Sequence, residues 1–261
     1  MFRKLLLLAA LLLSVSSLSA QTANDVVSSY VSARGGLDKI KSVKTERVTG
    51  TISGGGTEGP FLVERKRPFK LHMEIQLAGQ TLIRTYDGKS AGWVYNPFKP
   101  NPSVESMTED DLKNILDEAD FDGPFVDYQE KGNKIELIDK EEILNTPAYK
   151  LKLTNKNGDV SFFYFDASTA LLLKWEGTRK IEGKDVPWES FFHDFRDVNG
   201  LKYPFLIESD APGTDQSQKI MAEKIEVNIP IDESRFEKPN PPAPAAAPDA
   251  SPTPPAESPK P

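Results

Sequence analysis

No cysteine occurs in this 261-residue sequence, which excludes disulfide staples, thiol catalysis, cysteine-ligated metals and a lipoprotein acylation site together. Histidine is nearly as scarce. With only His72 and His193, a zinc site is not supported, and no cofactor is implied. The one Gly-x-Ser-x-Gly match, Gly88 to Gly92, falls in the turn between two expected strands and not at the strand-to-helix turn of a nucleophile elbow, and Gly54 to Gly56 is not followed by a lysine-bearing helix, so it reads as a hairpin turn rather than a phosphate cradle. Beyond the N-terminus, no run approaches the roughly 18 apolar residues of a membrane helix. Basic charge is in deficit: the net charge of −7 repels nucleic acid and anionic membrane surfaces.

What is present begins with an export signal. Arg3 and Lys4 precede the apolar run Leu5–Leu13, and a Ser-rich stretch ends at Ala20. This is the pattern of a secretory signal peptide over residues 1–20, cut before Gln21. Its removal makes the chain more acidic by two charges, and the expected location is the periplasm. At the other end, residues 238–261 are Pro/Ala-rich without periodicity, the composition of a disordered tail, a spacer or a polyproline ligand. Between them no Pro/Ser-rich break divides residues 21–237, so one domain is expected.

Within that domain Asn24 is the expected cap of a helix carrying Val26, Val27, Tyr30 and Val31, followed by a short helix from Leu37 to Ser42. Strands then dominate. Twelve are expected, near 43–53, 59–66, 69–77, 80–87, 91–96, 133–143, 147–156, 159–166, 170–182, 186–198, 201–210 and 216–229. Turn pairs such as Asp87-Gly88, Asn157-Gly158 and Asn199-Gly200 separate them. One helix, Thr108 to Ala119, interrupts the meander, with Thr108 as cap and acids in its first turn.

Alternation assigns the faces. Phe69, Leu71, Met73 and Ile75 share one face with Arg67, opposite Lys70, His72 and Glu74; Leu201, Tyr203, Phe205 and Ile207 alternate likewise. Val160, Phe162 and Tyr164 oppose Phe163 and Phe165, so that strand needs cover on both sides. Either a curved sheet encloses an apolar ligand cavity or an ordinary sandwich or barrel has a filled core. Arg67 likewise has two readings: a side chain snorkelling at a strand end, or a paired charge on an apolar wall.

The runs VERKRPFKLHMEI and TYDGKSAGWVYNPF, with Arg67-Pro68, Asp87-Gly88-Lys89, Trp93, Tyr95, Asn96 and Pro97, resemble the LolA/LolB-like superfamily of periplasmic lipoprotein carriers. The later segments YKLKLT, YFDASTALLLKWEG, NGLKYPFLIES and IEVNIPIDESRFEKP are similar to exported outer-membrane lipoprotein-sorting proteins. This resemblance implies a mainly β (α+β) fold, a curved antiparallel sheet forming an unclosed β-barrel, with a few lid helices around a hydrophobic cavity. It further implies a non-enzymatic, monomeric carrier of acylated lipoproteins or lipids, loaded by an inner-membrane transporter and unloaded to an outer-membrane acceptor. Arg67 would hold the lid through backbone carbonyls, and Phe69, Leu71, Met73, Ile75, Trp93 and Tyr95 would line the acyl cavity. Leu71 departs from the pattern, because the family carries an aromatic there. An envelope-stress regulator of the same fold is the alternative.

Other candidate chemistry is thin. His193 beside Asp194, near Ser190, has triad residue types, but neighbours on a strand face opposite ways. The acids Glu109, Asp110, Asp111, Asp117, Glu118, Asp120 and Asp122 lack a calcium loop and read as a solvated helix face.

Overall fold

A computed structural model describes residues 21–181 and 183–240; the signal peptide expected over residues 1–20 and nearly all of the Pro/Ala-rich segment lie outside these residues. Helices α1 (Ala23–Ala33) and α2 (Leu37–Ser42) come first. They are followed by β1 (Thr45–Gly54), β2 (Thr57–Lys66), β3 (Lys70–Leu77), β4 (Gln80–Asp87), β5 (Gly92–Tyr95) and β6 (Val104–Ser106). Helix α3 (Glu109–Ala119) precedes β7 (Lys134–Ile143), β8 (Thr146–Thr154), β9 (Val160–Asp166), β10 (Leu172–Ile181), β11 (Lys184–Val198), β12 (Leu201–Asp210) and β13 (Ser217–Val227). A 3-10 helix, Glu233–Phe236, is the last described element.

Among the described residues every strand joins one antiparallel sheet of 13, in the order β6-β5-β4-β3-β2-β1-β13-β12-β11-β10-β9-β8-β7. The sheet is an unclosed barrel, because β6 and β7 end the order without meeting. Its two edges are blunted differently: β6 is only three residues long, while β7 is interrupted at Leu137/Asp139 and dense in Lys and Glu. All twelve expected strands are present. The thirteenth, β6, leaves no signal in the sequence, because Val-Glu-Ser is too short to show a period.

Local chemistry explains the helix ends. The cap of α1 is Thr22 rather than Asn24, since its hydroxyl accepts from Asp25 N while the Asp25 carboxylate accepts from Thr22 N, a reciprocal box. Thr108 and Asp111 repeat the device at α3. Gly35 follows α1 at φ 123°, with the space where a Cβ would stand only 2.3 Å from Gly200 O. Glycine there lets the end of α1 sit on the β11–β12 turn.

Register separates the faces of the sheet. On the concave face α1 and Phe125 pack against Leu151, Leu153, Phe163 and Phe165, with the Phe125 ring edge-on to Phe163 at 4.7 Å. Ile40, Val43, Val126, Leu201 and Val227 form the next cluster under α2. Leu71, Tyr86 and Met107 pack with Ile115 and Ala119 of α3. Among the described residues no second layer covers the convex face over β8–β11. Lysines cover it instead: Lys150 lies over the Phe162 and Tyr164 rings, and Lys174 over Tyr164 and Phe191, apolar stems on the rings and charged heads at Glu141, Glu176 and Glu189. The two-sided apolar pattern of β9 is thus met by helix on one side and cation on the other.

Candidate functional site: a latched lid over an apolar trough

Cross-strand partners share a face, so the pairs Phe61↔Ile75, Val63↔Met73, Val48↔Val63, Ile52↔Ile220 and Ile207↔Phe192 place these side chains on the concave wall. Ile52, Phe61 and Val63 are buried, whereas Val48, Met73, Ile75, Ile207, Phe192 and Ile220 remain only half-buried. Helices α2 and α3 and residues 121–128 lie over the same face. The result is a lidded trough whose apolar floor is incompletely covered.

Arg67 fastens that lid. Contrary to the expectation of a strand position, it stands in the turn between β2 and β3, and the Arg67-Pro68 bond is cis. From there Nε donates to Val43 O at 2.6 Å and Nη2 to Ile40 O at 3.0 Å, both at the end of α2. Nη1 and Nη2 also grip Asp122 at 2.7 and 2.5 Å, just beyond α3, and the guanidinium lies 4.7 Å from the Phe121 ring centre. One side chain therefore ties together α2, the exit of α3 and the sheet. The Asp122 bond raises the Arg67 pKa further, against burial. Burial pushes the Asp122 carboxyl up, but the Arg67 bond and charge, aided by Lys131 and Lys41, hold it below its usual range.

Two more arginines hold α3. Arg65 Nε donates to Glu118 O at 2.7 Å, a carbonyl in the last turn where a cation meets the negative end of the helix, while its guanidinium also pairs with Glu46. Arg84 grips the Glu118 carboxylate at 3.0 and 3.2 Å. Asp120 pairs with Lys131. The acidic stretch is thus not uniformly a solvated face: its second half carries the fastenings. Asp117 differs again, since it remains exposed. Desolvation by the surrounding protein, with Glu118 and Asp120 adding to it, pushes its carboxyl up to about 6.

The seven residues singled out from the sequence do not come together. Leu71 is completely buried beneath α3. Met73 and Ile75 line the floor beside it. Phe69 lies in the turn with Arg67 and is 38% exposed, so it does not stand with them on β3. The register His72↔Thr85↔Trp93 and Glu74↔Ile83↔Tyr95 sets Trp93 and Tyr95 on the opposite, convex face, because the parity of β5 follows from β4 and was not fixed by its own four residues. That convex surface is closed by the 3-10 helix. Arg235 bonds Glu64 at 2.7 Å and Glu74 at 2.8 Å, Arg47 completes Glu64, and His72 meets Glu74 at 2.8 Å.

The triad residue types are also dispersed. Ser190 pairs with Ser209 at 2.8 Å in the interior, whereas His193, three residues on, takes the opposite face and lies 3.6 Å from Glu208. A cleft of about 800 Å³ opens beside His193, between the β1–β2 hairpin and the β12–β13 end, remote from Arg67. Among the described residues no Asp, Glu or His cluster could hold a metal ion, and no helix is long and apolar enough to cross a membrane.

No family model and no curated protein matches the sequence. Solved structures do resemble the fold. A DUF1329 family protein from Desulfovibrio piger superposes with a TM-score of 0.55 at 14% identity, over 82% of this chain and 97% of its own. A LolA superfamily protein from Nitrosomonas europaea gives 0.54 at 17%, over 84% and 99%. A domain described as outer membrane lipoprotein-sorting, from Vibrio parahaemolyticus, gives 0.51 at 10%, over 77% and 94%. With its unclosed 13-stranded sheet and three helices among the described residues, the chain has a LolA-like fold.

Proposed function

We propose that this protein is an exported, non-enzymatic carrier that shelters the acyl chains of lipoproteins or related lipids beneath its lid and ferries them through the periplasm towards the outer membrane. The observation that carries this reading is the Arg67 latch over a partly uncovered apolar floor. Burying acyl methylenes is worth about 0.8 kcal/mol each. About ten of them would give ~8 kcal/mol before ordering costs, enough to offset the loss of a latch of a few kcal/mol. Cargo entering the trough would displace α2 and α3 and break the Arg67 contacts; release would re-form them. An inner-membrane transporter and an outer-membrane acceptor are the partners such a cycle requires, with the signal peptide of residues 1–20 directing export.

The test is to express residues 21–240 in a periplasm, purify without detergent and extract bound material for mass spectrometry, alongside Arg67→Leu. Acylated protein or phospholipid near one per chain, retained more strongly by the variant, is the expected result. An empty wild type that also fails to bind a fluorescent fatty acid would overturn the reading.

A further inference from the structure

Arg179, on the concave face of β10, lies between two indoles, its guanidinium 5.7 Å from the Trp175 ring centre and 5.0 Å from that of Trp188. The pairs Gly177↔Trp188 and Arg179↔Val186 make Arg179 and Trp188 diagonal neighbours on one face. Among the described residues Arg179 has no hydrogen bond or ion pair. The Nε1–H of Trp188, a residue only 8% exposed, is buried and has no acceptor among the described residues. Two donors thus stand side by side unfilled.

The charged groups that act on Arg179 are Glu118 and Asp117 on α3 and Arg84 on β4. Glu118 is already taken by Arg84 at 3.0 and 3.2 Å, and Asp117 only attracts through space. Arg179 is only half-buried, and desolvation by the surrounding protein holds its guanidinium below its ordinary pKa. The same wall carries the half-buried apolar floor, with Met73 in contact with Arg84 at 3.9 Å. An unpaired guanidinium and a free N–H beside an apolar trough are complementary to an oxyanion borne on a long apolar chain.

We propose that Arg179 and Trp188 Nε1 form a headgroup subsite, which takes the phosphate or carboxylate oxygens of an acidic amphiphile while its chain lies along the trough. This rests on the carrier reading and specifies its ligand class. Trp175 and Trp188 hold the guanidinium face while its N–H edge remains free for the anion.

Calorimetric titration of the full chain with lysophosphatidate and with the monoacylglycerol of the same chain length, both below their micelle concentrations, tests it. Inorganic phosphate alone is the third arm. Both amphiphiles should bind, the phosphorylated one about ten-fold or more tighter. Arg179→Gln should abolish that preference and leave monoacylglycerol binding intact, which also shows that the variant folds. Trp188→Phe, which keeps a ring but removes the N–H, should reduce the preference about three-fold or more. Equal affinity of wild type for both amphiphiles, or a preference that survives both substitutions, overturns the subsite and leaves the carrier reading standing. Inorganic phosphate binding as tightly as lysophosphatidate assigns the donors to a free anion and overturns a headgroup role. Failure of both amphiphiles to bind overturns the carrier reading and the subsite with it.

Discussion

Arg67 and Asp122 are joined by two parallel N–H to oxygen bonds, 2.7 and 2.5 Å long, which connect the β2–β3 turn to the chain leaving α3. Both are mostly withdrawn from solvent, at 25% and 14% side-chain exposure. Such a fork depends on the planar guanidinium. Removing either partner leaves the other charge partly buried without its counter-ion. Arg67→Leu and Asp122→Asn should each lower stability by about 2–3 kcal/mol, with amide exchange accelerated first in α2 and around residues 120–122. Arg67→Lys should recover less than half. Unchanged exchange in α2 would remove the latch.

Leu71 has no exposed surface and is enclosed by Tyr86, Met107, Ile115 and Ala119. Restoring the aromatic that the resemblance leads one to expect there should overpack the site, so Leu71→Phe should cost about 1–3 kcal/mol. Leu71→Ala should cost about 3 kcal/mol through the cavity it leaves. Denaturant titration of both variants checks the pair; a stabilising Leu71→Phe would mean that α3 yields readily.

Acid should loosen the C-terminal clasp. The hydrogen bond from His72, together with Arg235 and against burial, pulls the Glu74 carboxyl from 4.5 down to about 2. A depressed carboxyl pKa contributes stability that is present above about pH 4.5 and lost as the pH falls towards 2. Discounted for its partial exposure, this amounts to about 2 kcal/mol. Glu74→Gln should therefore lower stability at pH 7 by about that amount and flatten the stability curve between pH 4.5 and 2. Equal slopes for both proteins in that window would contradict it.

At Gly35 the backbone (φ 123°) and the nearby Gly200 O both exclude a side chain. Gly35→Ala should cost more than about 2 kcal/mol, whereas Gly55→Ala, at φ 57° with open space around it, should cost about 1 kcal/mol. Thermal melts of the two, compared directly, separate close approach from turn strain.

How far the sequence could be read depended on where the information lies along the chain. Strand periods of two and the turn pairs Asp87-Gly88, Asn157-Gly158 and Asn199-Gly200 are local, so the meander and its central helix were visible, as was the concave face of β3 and β12. The latch was half visible: Arg67 stood out through the Arg-Pro step, but Asp122 was one acid among seven, 55 residues away. Glu118 was another of those seven, and Arg65 and Arg84 gave no sequence signal, since charged residues on strands and helices are ordinarily solvated. Trp93 and Tyr95 were misplaced relative to Leu71 because β5 has only four residues, and its facing depends on which residue of β4 it meets.

Composition and alternation alone determined that this is a cysteine-free, acidic, mainly β chain with an apolar face, because covalent chemistry, net charge and strand parity need no knowledge of distant residues. Tertiary structure alone decided that lysines cover the convex side of β8–β11, that three arginines converge on the end of α3, and that Arg179 stands between two indoles with no ion pair among the described residues. Those outcomes follow from sheet curvature, which brings β4, β10 and α3 to one mouth, and curvature sums small twists over 13 strands that no local window contains.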